Sequence, residues 1–487
     1  MQAPKEVKII LDKLKKAGFE AYIVGGCVRD LLMEKEPEDW DITTSAKPEE
    51  IKKVFPESFY ENKFLTVTVK TGSKKEKLNE VEVTTYRLEA KYTDKRHPDE
   101  VRFAKTLKED LARRDFTVNA TAVDFSGKKP KVIDYFSGQK DLEKKIIRTV
   151  GNAEERFSED ALRMMRAVRF AVTLQKGWQI EKNTGDAVKK NAPWLQAISK
   201  ERIRDELTKI IMSESAAEGI ESLRDLSLLK YIIPELEEGF KVGQNKHHIY
   251  ECYEHNLRSL DFAAKKNFNK EVRLASLFHD IGKPRSKRGQ GADSTFYGHE
   301  VIGAKMAFQI LSRLKFPKKE IEKIVKLVRY HLFYYNVEEV SENSVRRLVR
   351  QVGPESMEEL LQVRMADRIG SGVPKAEPYK LRHLKYIIEK VAQDPISVKM
   401  LKVSGNDVMK ILKMKPGPKV GKVLDALLEL VLSDPKNNTK SFLEAEIERL
   451  GKLSDKELDS LAKSAKNKRE KIEIKRDEMT KKKYWVT

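Results

Sequence analysis

The sequence predicts a multidomain chain: an α/β head, with a mixed sheet and helices, followed by all-α domains. Three observations carry this reading. The chain has 487 residues, enough for about three domains at roughly 150 residues each. Short runs of β-branched alternation are confined to residues 1–150. From about Ala153 onward helical periodicity takes over and that alternation disappears.

Within the head, Glu20–Val24 reads as a strand running into Gly25-Gly26. Trp40–Thr44, Leu65–Lys70 and Val81–Arg87 read as further strands, the last two with β-branched alternation. Helical patterns at Val7–Lys16 and Pro48–Val54 accompany them. Past residue 150 charge is interleaved with apolar positions, as on the wet faces of packed helices. Glu238–Lys246, with Gly239 and Gly243, reads as a linker, and a second break falls at Gly370–Pro378. The chain thus divides into 1–150, 151–240, 241–375 and 376–487. Residues 451–487 carry 12 Lys/Arg against 7 Asp/Glu and read as a helical or frayed basic tail with a solvated face.

Composition narrows the function classes. Hydrophobic residues make up 40% and charged residues 35%, which excludes bulk disorder at this length. The net charge of +20 points to a polyanionic partner, nucleic acid or an acidic membrane. With only two cysteines, Cys27 and Cys252, a disulfide framework or a four-cysteine zinc site is impossible within one chain, so a reducing compartment is expected. No apolar run approaches the roughly 20 residues of a membrane helix. The opening Met-Gln-Ala-Pro-Lys-Glu lacks a signal-peptide core, so a cytoplasmic protein without a membrane partner is expected.

The head concentrates carboxylates. Gly25-Gly26 between a strand and a helix lets backbone N–H groups approach a phosphate. Asp39 and Asp41 stand at i, i+2, which on a strand puts both on one face and turns Trp40 to the core. Like charges on one face repel unless a cation sits between them, and hard oxygen ligands suit Mg²⁺. Glu82, on a neighbouring strand, is a candidate third carboxylate. Metal-bridged carboxylates of this kind serve in-line nucleotidyl transfer.

A second pattern, Glu159-Asp160-x-x-Arg163, falls in a helical run over Ser158–Val172, where i, i+3 spacing puts Asp160 and Arg163 on one face. One accepts hydrogen bonds and the other donates them. Cytosine and adenine each present an amino donor beside a ring-nitrogen acceptor, which this pair satisfies. Uracil and guanine reverse the order and leave both side chains unpaired.

Together Gly25-Gly26-x-x-Arg29-Asp30, Asp39-Trp40-Asp41-Ile42-Thr43-Thr44, Val81-Glu82-Val83-Thr84-Thr85-Tyr86-Arg87, the run Asp110–Ala120, Asp134-Tyr135-Phe136-Ser137-Gly138 and Glu159-Asp160-Ala161-Leu162-Arg163 resemble the nucleotidyltransferase head and neck of bacterial tRNA CCA-adding enzymes and poly(A) polymerases. The resemblance covers about the first 210 residues. It implies Mg²⁺ on Asp39 and Asp41, with Glu82 assisting. It also implies nucleotide contacts from Gly25, Gly26, Arg29, Asp115 and Asn119, base selection by Asp160 and Arg163, and further basic contacts from Arg166 and Arg169. Arg113 and Arg114 look like contacts to the triphosphate or RNA. The polar loop Ala90–Arg102, containing His97, has the full length of the family's flexible loop, unlike enzymes that add only CC.

Six of the eight histidines lie between His247 and His331. His255, the pair His279-Asp280, His299, His331 and Asp367 sit on separate helical segments, and imidazole with carboxylate suits Mn, Ni, Co, Fe or Zn. An adjacent His-Asp pair can feed two metals or bridge them through Asp280. This resembles the HD phosphohydrolase superfamily; His247 and His248 stay unassigned. Farther on, Pro416-Gly417-Pro418-Lys419-Val420-Gly421 resembles the C-terminal helical region of CCA-adding enzymes, with Lys419 an RNA-contact candidate.

The sequence therefore predicts a template-independent nucleotidyltransferase adding C, C and A to the tRNA acceptor arm from CTP and ATP. Its architecture is a head, a helical neck, an HD-type domain and C-terminal helices. The rivals are an A-adding enzyme or poly(A) polymerase, a metal-dependent phosphohydrolase, and a non-catalytic RNA-binding module.

Overall fold

The computed structural model describes residues 1–61, 66–90, 100–127, 129–245, 249–392 and 398–486. The expected loop residues around His97, together with His247 and His248, lie outside them.

The head is built on strands β1 (Ala21–Val24), β2 (Asp41–Thr44), β3 (Ser58–Glu61), β4 (Thr66–Lys70), β5 (Glu80–Thr85), β8 (Thr121–Asp124) and β9 (Lys131–Asp134), with β6 (Arg87–Ala90) and β7 (Glu100–Phe103) as a separate hairpin. The sheet runs β3-β4-β5-β2-β1-β8-β9, and only β2 and β5 pair in parallel. Period two decides its faces. Val67, Val69, Val81, Val83, Ile23 and Ile42 turn inward against Val7, Ile10, Leu11 and Leu14 of the helix Lys5–Lys16. Trp40 joins that core, as its place between two aspartates predicts.

The expected strand Val81–Arg87 is two strands. The chain leaves the sheet at Tyr86, whose ring is buried and whose hydroxyl donates to Glu20 Oε2 at 3.0 Å. A tertiary hydrogen bond, invisible to local alternation, makes the break.

Beyond the head the chain is almost entirely helical. One small parallel pair, Ile146–Ile147 with Gln179–Ile180, and an isolated antiparallel bridge between Arg288 and Thr295 are the exceptions among the described residues. The helices Leu162–Thr173, Lys200–Ile211 and Ala216–Asp225 form the neck, and Cys252–Lys265, Lys270–Phe278, His299–Arg313, Lys318–Tyr330 and Met357–Gly370 follow. Arg273 joins neck to these helices. It is 1% exposed and donates to the carbonyls of Ile211 (3.0 Å) and Ser213 (2.8 Å), the only way a buried guanidinium avoids a large desolvation penalty.

The chain splits into two compact units, Met1–Leu332 with Glu359–Pro374, and Phe333–Glu358 with Lys375–Thr487. The second has its own core of Val408, Val423, Leu427, Leu443, Ile447 and Leu458. The basic tail, expected to be helical or frayed, is a helix, Asp455–Tyr484, and it is not merely solvated. Leu458 is fully buried, and Lys468 donates to Glu429 (3.1 Å) on the helix Pro418–Ser433.

Candidate active site and metal centre

Three carboxylates meet where β2 and β5 begin. Asp41 opens β2 and is in register with Glu82 of β5, so both side chains leave the same face. Val81 and Val83 point to the core, which turns Glu82 to solvent. Asp39 lies just ahead of β2, exposed, rather than on the strand as the i, i+2 reading required. Its charge still reaches Asp41. Burial, together with the Asp39 and Glu82 charges and against the opposing pull of Arg114, lifts the Asp41 carboxyl to about 6.

Gly25 links β1 to the helix Gly26–Leu32 at φ +81°, and a Cβ there would stand 2.7 Å from Arg114 Nη1 and 3.5 Å from Asp41 Oδ2. The backbone conformation favours glycine here, and its bare Cα leaves room for the Arg114 guanidinium. The Gly25 amide donates to Thr121 O (3.3 Å), so any phosphate must meet the amides that follow it. Asp110, fully buried, is a residue that sequence reasoning left without a role. It accepts from Arg113 Nε (3.1 Å) and from Thr43 Oγ1 (3.1 Å), and lies 3.8 Å from Arg114. Its i, i+3 and i, i+4 spacing to the two arginines was the available signal. This anchor holds both arginines, and Arg114 stands beside Asp41.

A polar chain connects head and neck. Arg29 Nη1 donates to Asn119 Oδ1 (2.8 Å), Asn119 Nδ2 to Asp115 Oδ1 (3.2 Å), and Arg166 Nε to Asp115 Oδ2 (2.8 Å). Burial alone would raise the Asp115 carboxyl, but Arg166 overrides it and holds it at about 2. Arg169 lies over the Phe170 ring at 4.0 Å and pairs with Glu206 at 3.1 Å.

Asp160 and Arg163, the expected base-reading pair, depart from the helical prediction. The helix Ala153–Glu159 stops at Asp160, which is extended at φ −142°, and a new helix starts at Leu162. Asp160 and Arg163 therefore do not share a continuous helical face. Asp160 Oδ1 accepts from the Leu162 amide (3.0 Å), and Arg202 Nη2 donates to Asp160 Oδ2 (2.6 Å). Arg163, 8% exposed, donates to Arg113 O (3.0 Å) and Arg156 O (3.2 Å) and pairs with Glu159. Arg202 stands 42 residues away on the helix Lys200–Ile211, and nothing local in the sequence marks it.

The second constellation is more enclosed. His255, His279, Asp280 and Asp367 form one set of converging ligand atoms, and Asp280, His299 and His331 form another, all buried. Asp280 is common to both. Its Oδ2 lies 3.1 Å from His255 Nε2 and 3.3 Å from His279 Nε2. Its Oδ1 lies 3.2 Å from His299 Nε2 and 3.5 Å from His331 Nε2. Nδ1 of His279, His299 and His331 meets the carbonyl three residues earlier, at 2.8, 2.7 and 2.7 Å, which turns each Nε2 inward. Burial would lower His279, but the Asp280 and Asp367 charges raise it to about 10. A Cβ at Gly282 would stand 2.2 Å from His299 O, so glycine lets the His-Asp turn lie against the next helix. Lys283, 2.6 Å from Asp280, and Arg364, 2.6 Å from Asp367, complete the site and were not singled out from the sequence. Their i, i+3 spacing to Asp280 and Asp367 was the signal. A cleft of about 550 Å³ reaches Asp280, His299, His331 and Asp367.

In the second unit Gly417 precedes a helix with Pro418 at its first position, as the Gly-Pro turn predicts. Lys419 Nζ donates to Gly451 O (3.2 Å) and Leu453 O (3.4 Å), capping the end of the helix Lys440–Gly451.

Comparison with known proteins resolves the family. Residues 21–148 match the poly A polymerase head domain, residues 177–240 the probable RNA and SrmB-binding site of polymerase A, and residues 252–371 the HD domain. The CCA-adding enzyme of Lactococcus lactis subsp. lactis (strain IL1403) is 31% identical over 448 residues, 91% of this chain and 97% of the relative. The chain belongs to the CCA-adding enzyme family. Another family member, from Ligilactobacillus salivarius (strain UCC118), is 46% identical over 233 residues, but the match spans only 54% of that relative. The crystal structure of the Bacillus stearothermophilus CCA-adding enzyme in complex with CTP is 30% identical with a TM-score of 0.60, covering 92% of this chain and 98% of that one. Family membership carries a dependence on divalent metal in the nucleotidyltransferase head. No helix among the described residues is long and apolar enough to cross a membrane.

Proposed function

We propose that this CCA-adding enzyme family member completes tRNA 3′ ends, adding C, C and A from CTP and ATP without a nucleic-acid template. The observation that carries the reading is the meeting of Asp39, Asp41 and Glu82 beside Arg114, in the same compact unit as Asp160 and Arg163. The chemistry is in-line attack of the RNA 3′-hydroxyl on the α-phosphate, with pyrophosphate leaving.

The head donors are carboxylate oxygens at a partly open position, a set that fits Mg²⁺. Held by Asp39 and Asp41, Mg²⁺ supplies charge neutralisation at the α-phosphate and activation of the hydroxyl. Arg114, beside Asp41 and Gly25, meets the triphosphate. Asp115 and Asn119 hold Arg29 and Arg166 in place for the nucleotide. Asp160 exchanges Arg202 for the amino group of cytosine or adenine, and Arg163 serves the ring nitrogen. The carbonyls of Arg113 and Arg156 fix the plane of that guanidinium in advance, so the order of donor and acceptor is set before a base arrives. The net charge of +20 fits tRNA, whose duplex is held through shape and phosphate. Two buried free thiols, Cys27 and Cys252, support a cytoplasmic setting.

A second centre is favoured by the shared position of Asp280. Its mixed nitrogen and oxygen ligands fit a transition metal such as Mn, Ni, Co, Fe or Zn, and the adjacent Lys283 and Arg364 fit a phosphate ester as substrate.

The test uses tRNA transcripts ending before CCA, after C and after CC, each incubated with Mg²⁺ and CTP, ATP or both. Growth by C, C and A followed by a stop supports the reading. A single A added only after CC indicates an A-adding enzyme, and long A tails a poly(A) polymerase.

A further inference from the structure

The second compact unit displays an aromatic residue in an unfavourable conformation. Trp485 closes the helix Asp455–Tyr484 in the left-handed region, at φ +53°. That position favours glycine or asparagine, and a bulky residue there is an outlier. The backbone is held by Trp485 N–H to Lys482 O (3.2 Å) and Val486 N–H to Lys481 O (3.1 Å), and Val486 is buried. The turn is therefore anchored by its neighbour, while the indole is 80% exposed. Helix termination calls for the turn but not for the indole.

The turn lies in basic and aromatic surroundings. Arg382 donates to the Trp485 carbonyl (3.3 Å), and its guanidinium stands 5.8 Å from the ring centre of Tyr379, which is 37% exposed. Behind Tyr379 lies His383, 5.9 Å away ring to ring and bonded to the Tyr335 hydroxyl at 2.6 Å. Burial, with Lys481 and Lys390, lowers the His383 pKa. The last helical turn carries Lys481, Lys482 and Lys483. Of the carboxylates near this end, Asp477 bonds the Tyr386 hydroxyl and Glu389 bonds Lys483 and the Tyr484 hydroxyl. Exposed aromatic faces, a guanidinium and a lysine-rich rim fit an unstacked base with its flanking phosphates.

We propose that Trp485, Tyr379 and Arg382 form a stacking platform for an unpaired base of the bound RNA. The proposal rests on the tRNA reading for the identity of that RNA. The platform selects for an unstacked base but not for its sequence, since every base has a π-face.

Intrinsic fluorescence tests it directly. Of the four tryptophans, Trp40 and Trp178 are buried and Trp194 is half-buried, so Trp485 dominates the solvent-accessible emission. A tRNA transcript lacking CCA is expected to quench the wild type, and Trp485→Phe is expected to lose the quench while keeping RNA affinity. Trp485→Gly suits the left-handed turn, so its Tm should be unchanged or higher. Its KM for tRNA should nevertheless rise roughly tenfold at unchanged kcat, the size of one base–aromatic stack. Wild-type affinity in Trp485→Gly, or no quench by RNA, overturns the platform. So does a change of association state without a change in RNA affinity, which would make the patch a contact between copies. The quench reads RNA contact whether or not nucleotides are added, so it fails independently of the transferase reading.

Discussion

The head and the histidine-rich centre both gather carboxylates, yet they are built on opposite terms. In the head, Asp39 and Glu82 are exposed and only Asp41 is drawn inward, so the cluster stays open toward solvent. In the other centre all six ligand candidates are buried, and three imidazoles are locked from behind by backbone carbonyls. An open oxygen cluster keeps room for a growing RNA end and a changing nucleotide. A closed nitrogen-rich cage fixes its geometry before anything binds. The position of an aspartate relative to the core, more than the count of acids, separates the two.

Breaking the cage at its shared member gives the largest effect. Asp280→Ala should empty both ligand sets, and His331→Ala only one. Metal content of the purified variants, measured after loading with Mn²⁺, should fall to none and to about half the wild-type value respectively. Equal losses in the two would show that Asp280 is not the shared ligand.

Base choice comes next. Asp160→Ala should lower discrimination of CTP against UTP by about a hundredfold, the order expected when a buried hydrogen-bonding group is removed. Competition between labelled nucleotides reads this directly. Arg202→Ala should leave discrimination in place and weaken stability instead, since in this account Arg202 only holds Asp160 before the base arrives.

The open cluster also makes a stability prediction. The Asp41 carboxyl is raised to about 6, above its ordinary value, so the folded state holds the proton more tightly than the unfolded chain. Its contribution therefore turns unfavourable as pH rises from about 4 to about 6 and stays so above that. Asp41→Asn, metal-free, should be more stable than wild type by about 3 kcal/mol at pH 7.5 and equal to it near pH 4. Denaturant midpoints at the two pH values check this, and Mg²⁺ should abolish the difference.

What was legible follows from the range of each interaction. Asp41 and the inward turn of Trp40 could be read because side-chain alternation is local, but Asp39 lies ahead of the strand and not on it. The histidines and aspartates of the second centre could be read by residue type. Bridging through Asp280 was one of two options open there; the sequence could not choose between them, since the ligands come from separate helices. The break at Asp160 was hidden because the residues on both sides are helical, and Arg202 holds it from a distant helix. Arg273 looked like any basic residue on a wet face, but it is buried to serve carbonyls in the neck. In each hidden case a long-range polar contact overrides a local pattern.

The central claim is that nucleotides are added at the open cluster and nowhere else. The direct measurement is incorporation of labelled CTP into a tRNA transcript ending before CCA, by wild type, Asp41→Ala and Asp280→Ala side by side. The account predicts that Asp41→Ala falls by about a thousandfold or more, while Asp280→Ala matches wild type. Incorporation that survives Asp41→Ala, or disappears with Asp280→Ala at an unchanged Tm, would contradict it.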